Sequence, residues 1–263
     1  MTTALPNDPD ARLFCKAAEA LAAREPGMAD VLGFHPEQAE DDAALMAEVL
    51  CQAAQDAHVR EAIRDIARQT FVPTGRLFEI VREDVMITAL RDGDPGGAIT
   101  TLLFANGLHN LLGYRLTNAV LVQRRPATAH ALKTHFLRAF GADIMPQARI
   151  GRRVWIDHGL GVVIGQTAVI EDDVSLWHGV TLGTNMVDRG DARHPRIRRG
   201  CVIGAGSAII GPVEIGAGAV IAAGTVVTAD VSAGAIAVGA KSRILDGRAR
   251  SAAELGIPIG ELK

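Results

Sequence analysis

Six residues separate Ile197, Ile203, Ile209, Ile215, Ile221 and Val227 from one another, and no other feature constrains the fold of this chain as strongly. Four places after each aliphatic stands a small or β-branched residue: Cys201, Ser207, Val213, Ala219, Thr225 and Val231. A period of six fits neither an amphipathic helix nor a simple two-faced strand. It predicts a parallel β-helix whose triangular coils use three hexapeptides each. One aliphatic per face points inward, and the small residue follows near the corner. In Ile203-Gly204-Ala205-Gly206 and Ile215-Gly216-Ala217-Gly218, glycine supplies the permissive dihedrals that tight corners require.

The same register occurs earlier as Ile150, Ile156, Ile164, Ile170, Leu176 and Leu182, with a slip of two residues after Ile156. The repeat therefore begins near residue 144. Between Leu182 and Ile197 the register lapses, and the polar stretch from Gly183 to Arg196 cannot form a coil face. It reads as a loop thrown out from one corner, the kind of excursion that carries functional residues.

Residues 1–140 read as helices. An acidic start at Glu40, Asp41 and Asp42 leads into Leu45, Met46, Val49 and Leu50, the spacing of a half-buried helix whose first turn suits negative charge. Other helical stretches run over Asp10–Arg24, Val59–Gln69, Arg76–Arg91 and Leu103–Arg124. Their expected role is to pack together and present a surface for self-association. The division is thus a helical oligomerisation domain over 1–140, a β-helix over 141–245 and a tail over 246–263.

A net charge of −3 gives no electrostatic footprint for nucleic acid, although Arg193, Arg196, Arg198 and Arg199 cluster locally. The N-terminal decapeptide lacks basic and apolar signal regions, and no apolar run is long enough to span a bilayer, so the expected location is cytoplasmic. Cys15, Cys51 and Cys201 lack the paired spacing of a zinc site or disulfide framework, and Cys201 occupies a small-residue core position.

Three constellations could carry chemistry: Asp157-His158 inside the repeat, Arg193-His194-Pro195 closing the excursion, and Asp143-Ile144-Met145-Pro146 where helices give way to coils. Singly, each has a bland reading as surface polarity, a solvated loop or a turn residue. In series they are more specific. Together with Ile150-Gly151, Gly165-Gln166-Thr167, Gly179-Val180-Thr181-Leu182-Gly183, Asp84, Arg91-Asp92, Gly107-Leu108-His109 and Tyr114-Arg115, the pattern resembles the serine O-acetyltransferases among the hexapeptide-repeat acyltransferases.

The resemblance covers about residues 80–245. It implies an α+β chain, a helical domain followed by a left-handed parallel β-helix, with coils assembled as trimers or paired trimers. It implies an active site between neighbouring coils, acetyl-CoA as cosubstrate and L-serine as acceptor. By motif, His158 is the base and Asp143 its carboxylate partner. Asp92, Asp157, Arg193 and His194 hold the amino acid, while backbone near Gly183, Ala205 and Ala223, with Lys241, meets the cofactor. No metal is implied. Histidine suits the base role independently, since a serine hydroxyl needs a positioned proton acceptor near neutral pH.

Several positions depart from the family pattern. Gly183-Thr184-Asn185-Met186 replaces a Gly-Gly-Thr-Gly run, Met145 and Gln166 replace His and Glu, Val220 replaces a basic residue, and Asp94 competes with Asp92. The chain ends in Lys263 rather than the Ile that family members insert into the cysteine-making sulfhydrylase, so that complex is not expected. The altered loop keeps homoserine or another hydroxylated amino acid open as acceptor. A zinc enzyme of γ-type carbonic anhydrase character, with His158, His178 and His194 as ligands, and a non-catalytic scaffold are the other readings.

Overall fold

The computed structural model describes residues 12–72, 75–93, 95–187, 190 and 192–239. Lys241, Asp94 and the tail discussed above lie outside them. Helices come first: α1 (Leu13–Arg24), α2 (Met28–Leu32), α3 (Asp42–Cys51), α4 (Ala57–Thr70), α5 (Arg76–Asp92), α6 (Gly97–Phe104), α7 (Asn106–Val122) and α8 (Pro126–Phe140). The single helix expected over Leu103–Arg124 is two, broken at the extended Ala105 between α6 and α7. The sequence reading had no counterpart for α8.

Capping explains the acidic run. Asp41 accepts a hydrogen bond from the Ala44 amide at the start of α3 (2.8 Å), whereas Asp42 turns away and accepts from the Phe14 and Cys15 amides of α1. Each carboxylate satisfies amide donors that a helix start leaves unpaired. The half-buried expectation for α3 is corrected, because every residue of it except Glu48 is buried. Burial also pushes the thiols of Cys15 and Cys51 up to about 12, so neither ionises near neutrality.

Gly141, in the left-handed conformation, ends α8 and turns the chain into the coils. The first coil contains β1 (Asp143–Ile144), β2 (Arg149–Ile150) and β3 (Trp155–Ile156), and the second β4 (Val163–Ile164), β5 (Val169–Ile170) and β6 (Ser175–Leu176). Then come β7 (Thr181–Gly183), β8 (Arg196–Ile197) and β9 (Val202–Ile203), followed by β10 (Ala208–Ile210), β11 (Glu214–Ile215) and β12 (Val220–Ile221). The last strands are β13 (Val226–Val227) and β14 (Ile236–Ala237). Every named pairing is parallel, in three sheets: β1-β4-β7-β10-β13, β2-β5-β8-β11 and β3-β6-β9-β12-β14. This is the parallel β-helix that the repeat predicts, left-handed as the resemblance implies.

The register is as the repeat requires. Ile150, Ile164, Ile170, Leu176, Leu182, Ile197, Ile203, Ile209, Ile215 and Ile221 line one continuous apolar core, with Cys201, Ser207 and Ala219 buried beside them. The slip after Ile156 makes one corner, residues 157–161, longer than its successors, and the excursion leaves between β7 and β8.

Helix α7 joins the two parts. Its Tyr114 hydroxyl donates to the Ala148 carbonyl (2.7 Å), and Arg115 donates from one guanidinium nitrogen to the Ile150 carbonyl (2.7 Å) and from another to Asp84 of α5 (2.9 Å). Asp84 is fully buried, and desolvation raises its carboxyl to about 6 against the opposing pull of Arg115. Removing one member of such a pair strands the other charge. Arg115→Met is therefore expected to destabilise the chain by about 3–5 kcal/mol, read as a lowered urea midpoint. An unchanged midpoint would contradict this role.

Candidate active site

The lengthened corner after β3 carries Asp157 and His158 between the third and first sheets. His158 has φ +57°, a left-handed conformation in which histidine is over-represented among non-glycine residues. Gly159 and Gly161 beside it are also left-handed. The turn is clamped from α7. Asn106 donates from its side-chain amide to the His158 carbonyl (2.8 Å) and the Phe140 carbonyl (2.9 Å), and Asn110 donates to the Phe140 carbonyl. Gly107 is required there, because a Cβ would collide with the Ile156 carbonyl oxygen.

A cavity of about 590 Å³ opens at this corner, lined by Arg91, Asp92, Phe104, Trp155, Asp157 and His158 among others. The His158 side chain is 71% exposed and faces the opening, while Asp157 is 20% exposed. An Asp157 carboxylate oxygen lies 3.6 Å from His158 Nε2, and the His178 ring, one coil further, lies 5.6 Å from the His158 ring between centroids. Asp92, at the end of α5, accepts a hydrogen bond from Trp155 Nε1 (2.7 Å). Trp155 in turn packs edge-on against Trp177. Arg91 is held by Ser175 Oγ (3.1 Å), which fixes the last turn of α5 against the coil.

Asp143 lies on β1, whose neighbour β4 begins just past the His158 turn. Its carboxylate is ion-paired with Lys133 of α8. The Asp157 carboxylate lies beside the His158 ring, and the Lys133 partner of Asp143 has no counterpart in the sequence reading.

Arg193 and His194 are elsewhere. They close the excursion between β7 and β8, at the border of the first and second sheets, whereas His158 sits at the border of the third and first. Thr167 organises this second cluster: its hydroxyl accepts from the Arg193 and His194 amides (3.2 Å each) and lies 2.8 Å from His194 Nδ1. The His194 ring lies over Gly165, where a Cβ would strike it. Arg193 donates to the Gln166 side-chain oxygen (2.8 Å). Gly183, on β7, belongs to this edge, while Ala205 and Ala223 stack in the His158 column, in which Gly206 donates to the His178 carbonyl and Gly224 to the Ala205 carbonyl.

His109 and Cys201, also singled out in the sequence, have structural roles. His109 is partly buried, its Nε2 2.9 Å from the Leu102 carbonyl, and desolvation lowers its pKa. Cys201 is buried, with its thiol pKa raised by desolvation. The histidines His158 and His178, with Asp157, present ligand atoms within 4.8 Å of one another, but His194 stands at the other edge of the first sheet. The carbonic anhydrase-like set would therefore need His194 from another copy.

The bacterial transferase hexapeptide (six repeats) family matches residues 194–229. Serine acetyltransferase from Haemophilus influenzae is 38% identical over 157 residues, 59% of this chain and 58% of that protein. A truncated serine acetyltransferase apoenzyme superposes with a TM-score of 0.80 at 33% identity, covering 88% of this chain and 97% of that one. This chain belongs to the serine acetyltransferase family. A serine acetyltransferase of Brucella abortus in complex with coenzyme A, 30% identical, gives a TM-score of 0.80 over 90% of this chain and 95% of its own. The sequence match thus spans a little over half of the curated Haemophilus protein, while both solved serine acetyltransferases are covered almost throughout.

In the serine acetyltransferase fold of this chain, burial and then the Arg193 charge lower the pKa of His194. An NMR titration should place its imidazole below the ordinary histidine value of about 6.5, and Arg193→Ala should move it part of the way back. Titration at or above the ordinary value would contradict the described packing.

Proposed function

We propose that this protein is an acetyl-CoA-dependent serine O-acetyltransferase that makes O-acetylserine for cysteine biosynthesis. The observation that carries the reading is the gathering of Asp92, Asp157 and His158 around one cavity, at a corner that carries Trp177 and His178 one coil on and small residues at 204–207 and 222–225 in the two coils after that. Two carboxylates suit the ammonium of an amino acid, and an exposed imidazole suits its hydroxyl proton. The coenzyme A bound to the Brucella relative supports the donor, and the name of the relatives supports the acceptor.

In the proposed reaction the acceptor ammonium lies between Asp92 and Asp157. Trp155 holds one oxygen of Asp92 and so fixes the direction of its carboxylate. His158 removes the hydroxyl proton as the oxygen attacks the thioester carbonyl carbon. The tetrahedral intermediate collapses with cleavage of the carbon–sulfur bond, and the imidazolium returns the proton to the departing thiolate. Asp143, with Lys133 as counterion, orients the imidazole through its other nitrogen. Among the described residues the cavity lining holds no serine or cysteine to take the acyl group, which favours direct transfer.

Arg193 and His194 complete the acceptor pocket from a neighbouring copy, Arg193 meeting the carboxylate in a charge-assisted contact. The same junction brings Gly183 of one copy to Ala205 and Ala223 of the next, a groove for the pantetheine arm. The outward residues support this packing. The second sheet turns Arg149, Val169, Arg196 and Glu214 outward, whereas the first, past Asp143, turns out Val163, Thr181, Ala208 and Val226, and the third Val202, Val220 and Ile236. A trimer of coils, paired through the helices, would cover those mostly uncharged faces.

CoA release from acetyl-CoA, followed with L-serine and L-homoserine, tests the reading. Rapid release with L-serine is expected, with a fall of about 10²–10⁴-fold for His158→Ala at unchanged oligomer size, and a smaller fall for Asp143→Ala. Preference for L-homoserine would reassign the acceptor, and near-normal turnover by His158→Ala would remove the proposed base.

A further inference from the structure

The His158 corner has a property that the acyl-transfer reading does not use. His178 is exposed, one coil above His158, and its ring makes no hydrogen bond among the described residues. One nitrogen from each ring and a carboxylate oxygen of Asp157 lie within 4.8 Å of one another. Three ligands around a tetrahedral zinc ion stand about 3.4 Å apart, given bond lengths of about 2.0–2.2 Å. The Asp157 oxygen and His158 Nε2, at 3.6 Å, already meet that spacing. Both rings are open to solvent, so a small rotation about the side-chain bonds closes the remainder. Two imidazoles and one carboxylate form a donor set that suits Zn²⁺ rather than Mg²⁺ or Ca²⁺, with water in the fourth position.

We infer that Asp157, His158 and His178 form a site for an inhibitory zinc ion, separate from any cofactor role. The ion takes the lone pair of the imidazole that must accept the acceptor proton, and it occupies the carboxylate offered to the acceptor ammonium. Zinc and the amino acid therefore exclude each other, and occupancy raises the apparent KM for the amino acid. The inhibitory consequence rests on the acetyltransferase reading, whereas the binding site does not.

Untagged full-length protein, stripped with EDTA and freed of it, is titrated with Zn²⁺ against a chromophoric zinc indicator, without substrates. One ion per chain is expected, and His178→Ala and Asp157→Asn should each weaken binding at least about tenfold, the smaller end of the effect seen when a partner of a metal ligand is lost. In the CoA-release assay, added zinc should inhibit the parent chain competitively with the amino acid, EDTA should reverse the effect, and His178→Ala should resist it. Absence of binding, or binding of equal strength in His178→Ala, would overturn the site. Binding that depends on His178 in a protein without acetyltransferase activity would uphold the site and refute the activity instead. Binding that depends on His178 while turnover is insensitive to zinc would overturn the inhibition.

Discussion

Helix α7 lies against the coil with no side chain between the two backbones at Gly107, and the candidate site depends on that contact. A Cβ there would meet the Ile156 carbonyl, and one on Gly159 would meet Gly107 and the Asn110 amide. This closeness lets Asn106 bond both the His158 carbonyl and the Phe140 carbonyl, tying the end of α8 to the lengthened corner. A left-handed non-glycine residue costs free energy by itself, and it persists where the surroundings over-determine it. The buried Arg115, bonded to Asp84 and to the Ile150 carbonyl, keeps α7 in register with the first coil. The helical part therefore has a role beyond the self-association expected of it, since it shapes the turn that presents the imidazole and supplies Asp92.

The repeat decides where the rest of the site can be. In a three-sheet coil, a residue after the third strand and a residue after the first strand of a coil stand at opposite edges of the first sheet. His158 and His194 are such a pair. The side chains between them on that sheet are uncharged, and a rigid coil cannot fold across its own face. In the proposed reading the two halves meet where copies of the chain pack edge to edge, which would make activity depend on assembly.

Much of this was legible in the sequence because inward positions of a β-helix repeat strictly: the aliphatic ladder, the corner glycines and the lengthened corner each follow from a count of residues. Helices were less legible. The reading of one helix over Leu103–Arg124 missed the break at Ala105, since apolar residues continue through it. The unread α8 carried signals in Pro126 at its first turn and in Ala129, Leu132, Phe136 and Phe140 along its buried face. Long-range pairings had no local signature. Lys133 with Asp143, Trp155 with Asp92 and Thr167 with His194 join residues whose partners are set only when helix and coil, or successive coils, come together. The His158–His178 approach is legible only once the coil length is known, because it joins residues one coil apart.

Subunit mixing tests the shared site most directly. His158→Ala and His194→Ala chains, each impaired alone, are unfolded together, refolded as mixed oligomers and assayed for CoA release with L-serine. Each junction that pairs an intact His158 from one copy with an intact His194 from its neighbour regains function, so random assembly from equal amounts should restore roughly a quarter of the parent activity. A mixture no more active than the two variants measured separately would contradict a site built across neighbouring copies.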